Sequence, residues 1–185
     1  MKNKAAQFIL LAFVILTSSL VQAQVQTRRP ETTPRPNLTD TERMNMILES
    51  KELALNILTK AVPNYSGRLQ RQVERIRRTI QFYPFIYYPD AKNGQKGCAN
   101  ELAFADIRPL QRDVKLCPLL FNYEAIDRAQ VLIHESIHLV DDDLSECDTT
   151  DLEMNIMQQA GYVPFENGYV RGCMKDRSYD GHDND

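Results

Sequence analysis

Apolar residues along this chain follow three different rhythms, and each predicts a different kind of element. Leu69, Val73, Ile76 and Ile80 recur at i, i+4, i+7 and i+11, which is one face of an α-helix. Arg68, Arg71, Arg75, Arg77 and Arg78 occupy the rest of that helix and predict a solvated basic face. Upstream, Met44, Ile47, Leu48, Leu53, Leu55, Leu58 and Val62 predict a first helix. It should start at Thr39 or Asp40, with Glu42 in its first turn, and stop before Pro63. Ile126, Ala129, Ile133 and Ile137, extended by Leu132 and Val140, predict a third helix from about Tyr123 to Leu139. A fourth is expected from Asp151 to Ala160, capped by Thr150 with Glu153 three residues on and ended by Gly161. The second rhythm lies between 83 and 117. The aromatic, β-branched run YPFIYY (83–88), Leu102–Ala105 and Val114–Cys117 predict short strands in a small sheet or hairpin. Asn93-Gly94 and Lys96-Gly97 mark the turns among them.

The third rhythm is a run from Ala5 to Leu20 that is almost wholly apolar or small, preceded by Lys2 and Lys4 and followed by Val21-Gln22-Ala23. That order predicts a secretory signal, residues 1–23, cleaved before Gln24. The run is too short for a secure membrane anchor, so no stable anchor is expected after cleavage. Residues 24–38 carry three prolines and several threonines and predict a linker. The expected domain is one α+β unit over residues 39–175, mainly helical with a small β-sheet, followed by a polar tail, 176–185. Removing residues 1–23 takes away two lysines and no acid, so the net charge falls by two from −3. An acidic chain argues against nucleic acid as the main partner. Four cysteines in an exported chain predict two disulfides. Of the three pairings, Cys98–Cys117 with Cys147–Cys173 is favoured, because each bridge closes a local loop.

The candidate chemistry sits on the third helix. His134-Glu135-Ser136-Ile137-His138 reads H-E-x-x-H. Two histidines at i and i+4 project from one helix face and can reach a single tetrahedral zinc. Glu135 points to a neighbouring direction and can act as general base toward a water that the zinc acidifies. The pattern arises by chance on the order of once in a hundred chains of this length. The chain has only three histidines, and two of them are here. His182, in the polar tail, is expected to be solvated.

A catalytic zinc needs a third protein ligand. No third histidine of the H-E-x-x-H-x-x-G-x-x-H type follows, and residues 141–151 are crowded with carboxylates. The third ligand should therefore be an acid, with Glu146 preferred and Asp148 as the alternative. Cys147 as a thiolate ligand is less expected in an oxidising compartment. Asp141, Asp142 and Asp143 are expected to be solvated, and a local field that favours a basic substrate is a weaker expectation.

Residues 113–121 (DVKLCPLLF) followed by 130–138 (QVLIHESIH) resemble the aspzincins, the deuterolysin and peptidyl-Lys metallopeptidases. The resemblance covers about a fifth of the chain and rests on a strand, a Cys-Pro step and the zinc helix after it. It implies a zincin-like fold, a zinc cofactor and an Asp ligand within a Gly-Thr-x-Asp-x-x-Tyr segment. Here the matching stretch is 145–151 (SECDTTD): the Asp stands as Asp148, while the Gly, Thr and Tyr are absent. Tyr123, Tyr162 and Tyr169 are the unranked substitutes for that tyrosine. Glu146-Cys147-Asp148-Thr149 also looks like the Glu-x-x-Ala step of gluzincins, which implies Glu146 as the ligand. The expected function is an exported, periplasmic or secreted, zinc metallopeptidase acting on protein or peptide. Hydrolysis of an amide in cell-wall peptide is a variant of the same chemistry. The alternative is a non-catalytic exported binding module on a zincin scaffold.

Overall fold

A computed structural model describes residues 38–89, 98, 101–108, 111–165 and 173. The signal segment, nearly all of the linker, the two Gly turns, Tyr169, the polar tail and His182 lie outside the described residues. The architecture is α+β and mainly helical. Among the described residues, four α-helices, α1 (Asp40–Ala61), α2 (Gly67–Phe82), α3 (Ala125–Val140) and α4 (Glu146–Gln159), accompany three strands, β1 (Phe85–Tyr87), β2 (Ala103–Arg108) and β3 (Gln111–Leu116). The strand order is β1-β3-β2, with β1 parallel to β3 and β2 antiparallel to it. β2 is therefore an edge strand.

The helix ends follow from local chemistry. Thr39 caps α1 through a capping box with Glu42. Pro63 lies in a short 3-10 turn, Val62–Asn64, immediately after α1. At the end of α4, Gly161 takes φ +82°. Its N–H bonds the Gln158 carbonyl, and that of Tyr162 bonds the Met157 carbonyl. This is a Schellman closure, whose positive φ favours glycine.

Two helices differ from the pattern expected of them. Met44 and Leu48 are exposed. The buried line of α1 instead runs through Ile47, Ser50, Ala54, Ile57, Leu58 and Ala61. Small residues form much of that line because α3 packs against it. The other difference is α4, which begins at Glu146, five residues before the expected Asp151, with Ser145 as its cap. Thr150 is buried inside the helix and Glu153 is buried beyond it, so neither belongs to a cap.

α3 is the centre of the molecule. Every residue from Arg128 to Ile137 is buried. α1, α2 and α4 pack around it, and β2 and β3 close the remaining side. An apolar helix surrounded in this way buries polar side chains as well as its apolar stripe, and each must find a partner. On α2, by contrast, only Val73, Ile76, Thr79 and Ile80 are buried, and Arg68, Arg71, Arg75 and Arg78 are exposed.

Cys98–Cys117 and Cys147–Cys173 are both disulfides, in the expected pairing. Two bridges in so small a chain suggest an oxidising, exported environment. Among the described residues, no helix is long and apolar enough to cross a membrane.

Candidate metal centre

His134 and His138 lie one turn apart on α3, with ring centroids 5.1 Å apart. Glu146 reaches them from the first turn of α4. Its Oε2 is 3.3 Å from His134 Nε2 and 3.5 Å from His138 Nε2. One ligand atom from each of the three residues lies within 4.8 Å of the others. Ligand atoms this close together could hold a metal ion. His138 Nε2 is buried, and it faces the Glu146 carboxylate at the edge of hydrogen-bond range.

Helix capping separates the two candidate acids. Ser145 Oγ accepts the Asp148 N–H at 3.2 Å and donates to Asp148 Oδ2 at 2.6 Å. The Asp148 carboxylate is thus held at the exposed helix start. Glu146, two residues earlier, projects toward α3. Cys147 is bridged to Cys173 and is no thiolate ligand. Asp142 and Asp143 are exposed, while Asp141 accepts a bond from Gln72 at 3.3 Å.

Behind the metal donors is a residue the sequence pattern assigned to a helix cap. Glu146, Thr149, Thr150 and Glu153 fall at i, i+3, i+4 and i+7 and share the face of α4 that meets α3. Glu153 is completely buried, and its Oε2 lies 2.7 Å from His134 Nδ1. Its Oε1 accepts from Gln130 Nε2. The i, i+7 spacing from Glu146 was the available signal, but it becomes visible only once α4 is known to start at Glu146.

The electrostatics are tightly coupled. Burial works against a charged His134, but its hydrogen bonds with Glu146 and Glu153 win and push it up to about 10. Burial and then the neighbouring His134 charge lower His138. The His134 hydrogen bond lowers Glu146. Burial raises Glu135 to about 7. The His134 charge and a hydrogen bond from the Ala105 backbone on β2 oppose that rise, while Glu146 and Glu101 add to it. Glu135 is therefore influenced both by the His134–Glu146 pair and by the edge strand.

The tyrosines are placed less favourably. Tyr162 lies beyond the far end of α4, where Lys60 donates to its hydroxyl at 3.2 Å. Tyr123 precedes α3 and packs edge-on against Phe165. No family model, curated protein or solved structure matches this chain.

Proposed function

We propose that this chain is an exported zinc metallopeptidase on a zincin-like scaffold. In this reading it resembles the aspzincins in its Cys-Pro step and zinc helix, and the gluzincins in using Glu146 as third ligand. The observation that carries the reading is the convergence of one ligand atom each from His134, His138 and Glu146. Two imidazoles and a carboxylate form a donor set common to catalytic zinc. Zinc bound there would polarise the scissile carbonyl and bring the pKa of a water toward about 7.

The chain's own residues supply the remaining chemistry. Glu135, with its carboxyl raised to about 7, can accept a proton from water and later deliver it to the leaving amine near neutral pH. The backbone of Ala105, on the edge strand, is among the groups that favour the charged form of that carboxyl. A purely structural zinc site has no use for such a group, which favours the enzyme over the binding module.

The test is elemental analysis of the purified mature chain and of Glu135→Ala, with cleavage of an unstructured protein in parallel. One zinc per chain in both, with cleavage lost only in Glu135→Ala, is the expected result. Zinc in both without cleavage by either would favour the binding module. Zinc in neither would overturn the reading.

A further inference from the structure

Gln130 touches neither histidine's Nε2, yet the side-chain amide of this buried α3 residue is fully committed. Its Nε2 donates to Glu153 Oε1 and, at 2.9 Å, to the Phe165 carbonyl. Its Oε1 accepts the Phe165 N–H at 2.7 Å. Both amide hydrogens and the carbonyl are thus used, and both backbone groups of Phe165 are satisfied. Glu153 is as fully committed, with one oxygen on Gln130 and the other on His134 Nδ1. The chain of contacts runs from the segment after α4, through α3, back to α4, and ends on a candidate ligand.

We infer that Gln130 and Glu153 are positioning residues that act as one relay, fixing the tautomer and ring orientation of His134. The inference rests on the metal-site reading above. A neutral imidazole carries its proton on either nitrogen, and only the Nδ1–H form offers Nε2 to a metal. The Glu153 carboxylate accepts from Nδ1–H and selects that form. Gln130 in turn keeps the carboxylate from rotating, because its amide has no spare donor to follow a shifted Oε1. The Phe165 backbone anchors the amide, so the 162–165 segment becomes part of the metal site without reaching it.

Groups behind a ligand in this way change metal affinity by about 10–100-fold when removed. Zinc affinity of the mature chain would be measured by competition with a chromophoric chelator. Long-range nitrogen–proton spectra of the zinc-loaded chain, in which the metal takes one nitrogen and leaves the ring neutral, would report which nitrogen of His134 keeps its proton. Glu153→Gln keeps the volume but sets one amide donor against another at Gln130. Gln130→Met keeps the volume and removes every bond. Each is expected to weaken zinc binding by about 10–100-fold and to populate the other His134 tautomer. The double variant is expected to cost little more than either single one, because the two act as a unit. Ile57→Val, a core truncation on α1, should lower the melting temperature and leave both readouts unchanged. If Glu153→Gln does not fold, Gln130→Met carries the same test. Folded variants with wild-type affinity and tautomer would overturn the relay alone. Absence of zinc from the wild-type chain would overturn the metal-site reading and the relay with it.

Discussion

α3 carries two clusters of buried polar side chains, two turns apart, and they are finished differently. Near its start, Arg128 is almost wholly buried. Its Nε donates to Ser50 Oγ at 2.9 Å, its Nη1 to the Tyr123 carbonyl and its Nη2 to Glu49 at 2.7 Å. All three nitrogens of the guanidinium are answered, and the effect is to lock α1 to α3. Near its end, His134 and His138 bring their Nε2 atoms to 3.3 and 3.5 Å from the carboxylate of Glu146, an exposed residue of α4. Buried polar groups are normally satisfied, so the first cluster reads as structure. The second reads as a candidate site, because three possible metal ligands converge there.

If the contrast is right, damage to the two clusters should separate cleanly. The largest effect is expected for Glu135→Ala, which should lower peptide cleavage by about a hundred- to ten-thousand-fold while the chain keeps its zinc. Undiminished cleavage would remove Glu135 from the chemistry. Next, His138→Ala should abolish stoichiometric zinc with little loss of stability in chelator-treated samples. Arg128→Met should do the reverse. It leaves Ser50 and the Tyr123 carbonyl without their donor and should cost about 2–3 kcal/mol in denaturant unfolding, with zinc stoichiometry intact. Zinc loss in Arg128→Met at temperatures where it is folded would break the comparison.

Proton coupling gives a smaller effect. His134 is raised to about 10, His138 is lowered and Glu146 is lowered. At pH 6–7 the proton on His134 must therefore leave before a metal can take Nε2. Zinc uptake should release at least one proton, and affinity should fall by about tenfold per unit of acidification. Calorimetry in buffers of different ionisation enthalpy would measure it, and no proton release would contradict the arrangement. The smallest effect concerns the start of α4. Ser145→Ala should cost about 1 kcal/mol and weaken zinc modestly, because Glu146 lies in the turn that frays. Asp148→Ala should keep its zinc. Retention of zinc by Glu146→Ala with loss in Asp148→Ala would reverse the ligand assignment.

Much of the architecture is legible in the sequence. Leu69, Val73, Ile76 and Ile80 announced α2, and the alternation of element types announced a mainly helical α+β fold. His134 and His138 must share a face of any helix that contains both, because their spacing is the helical period. The disulfide pairing followed from loop closure. α1 was legible as a helix but not as a face. Burial there depends on what α3 can approach, and close approach selects Ser50, Ala54 and Ala61 over the more hydrophobic Met44 and Leu48.

The sequence by itself determined that two imidazoles and a carboxylate sit within one helical turn, since local geometry alone enforces it. Only the tertiary structure decided which acid joins them. Thr150 is the cap that the sequence suggests for α4, but the chain uses Ser145, which puts Glu146 in the first turn beside α3 and leaves Asp148 on the cap. Glu153 acquired its role the same way. A glutamate three residues after a threonine is a local signal for a cap. The packing of α4 on α3 overrides it, because a buried carboxylate needs donors and His134 and Gln130 provide them.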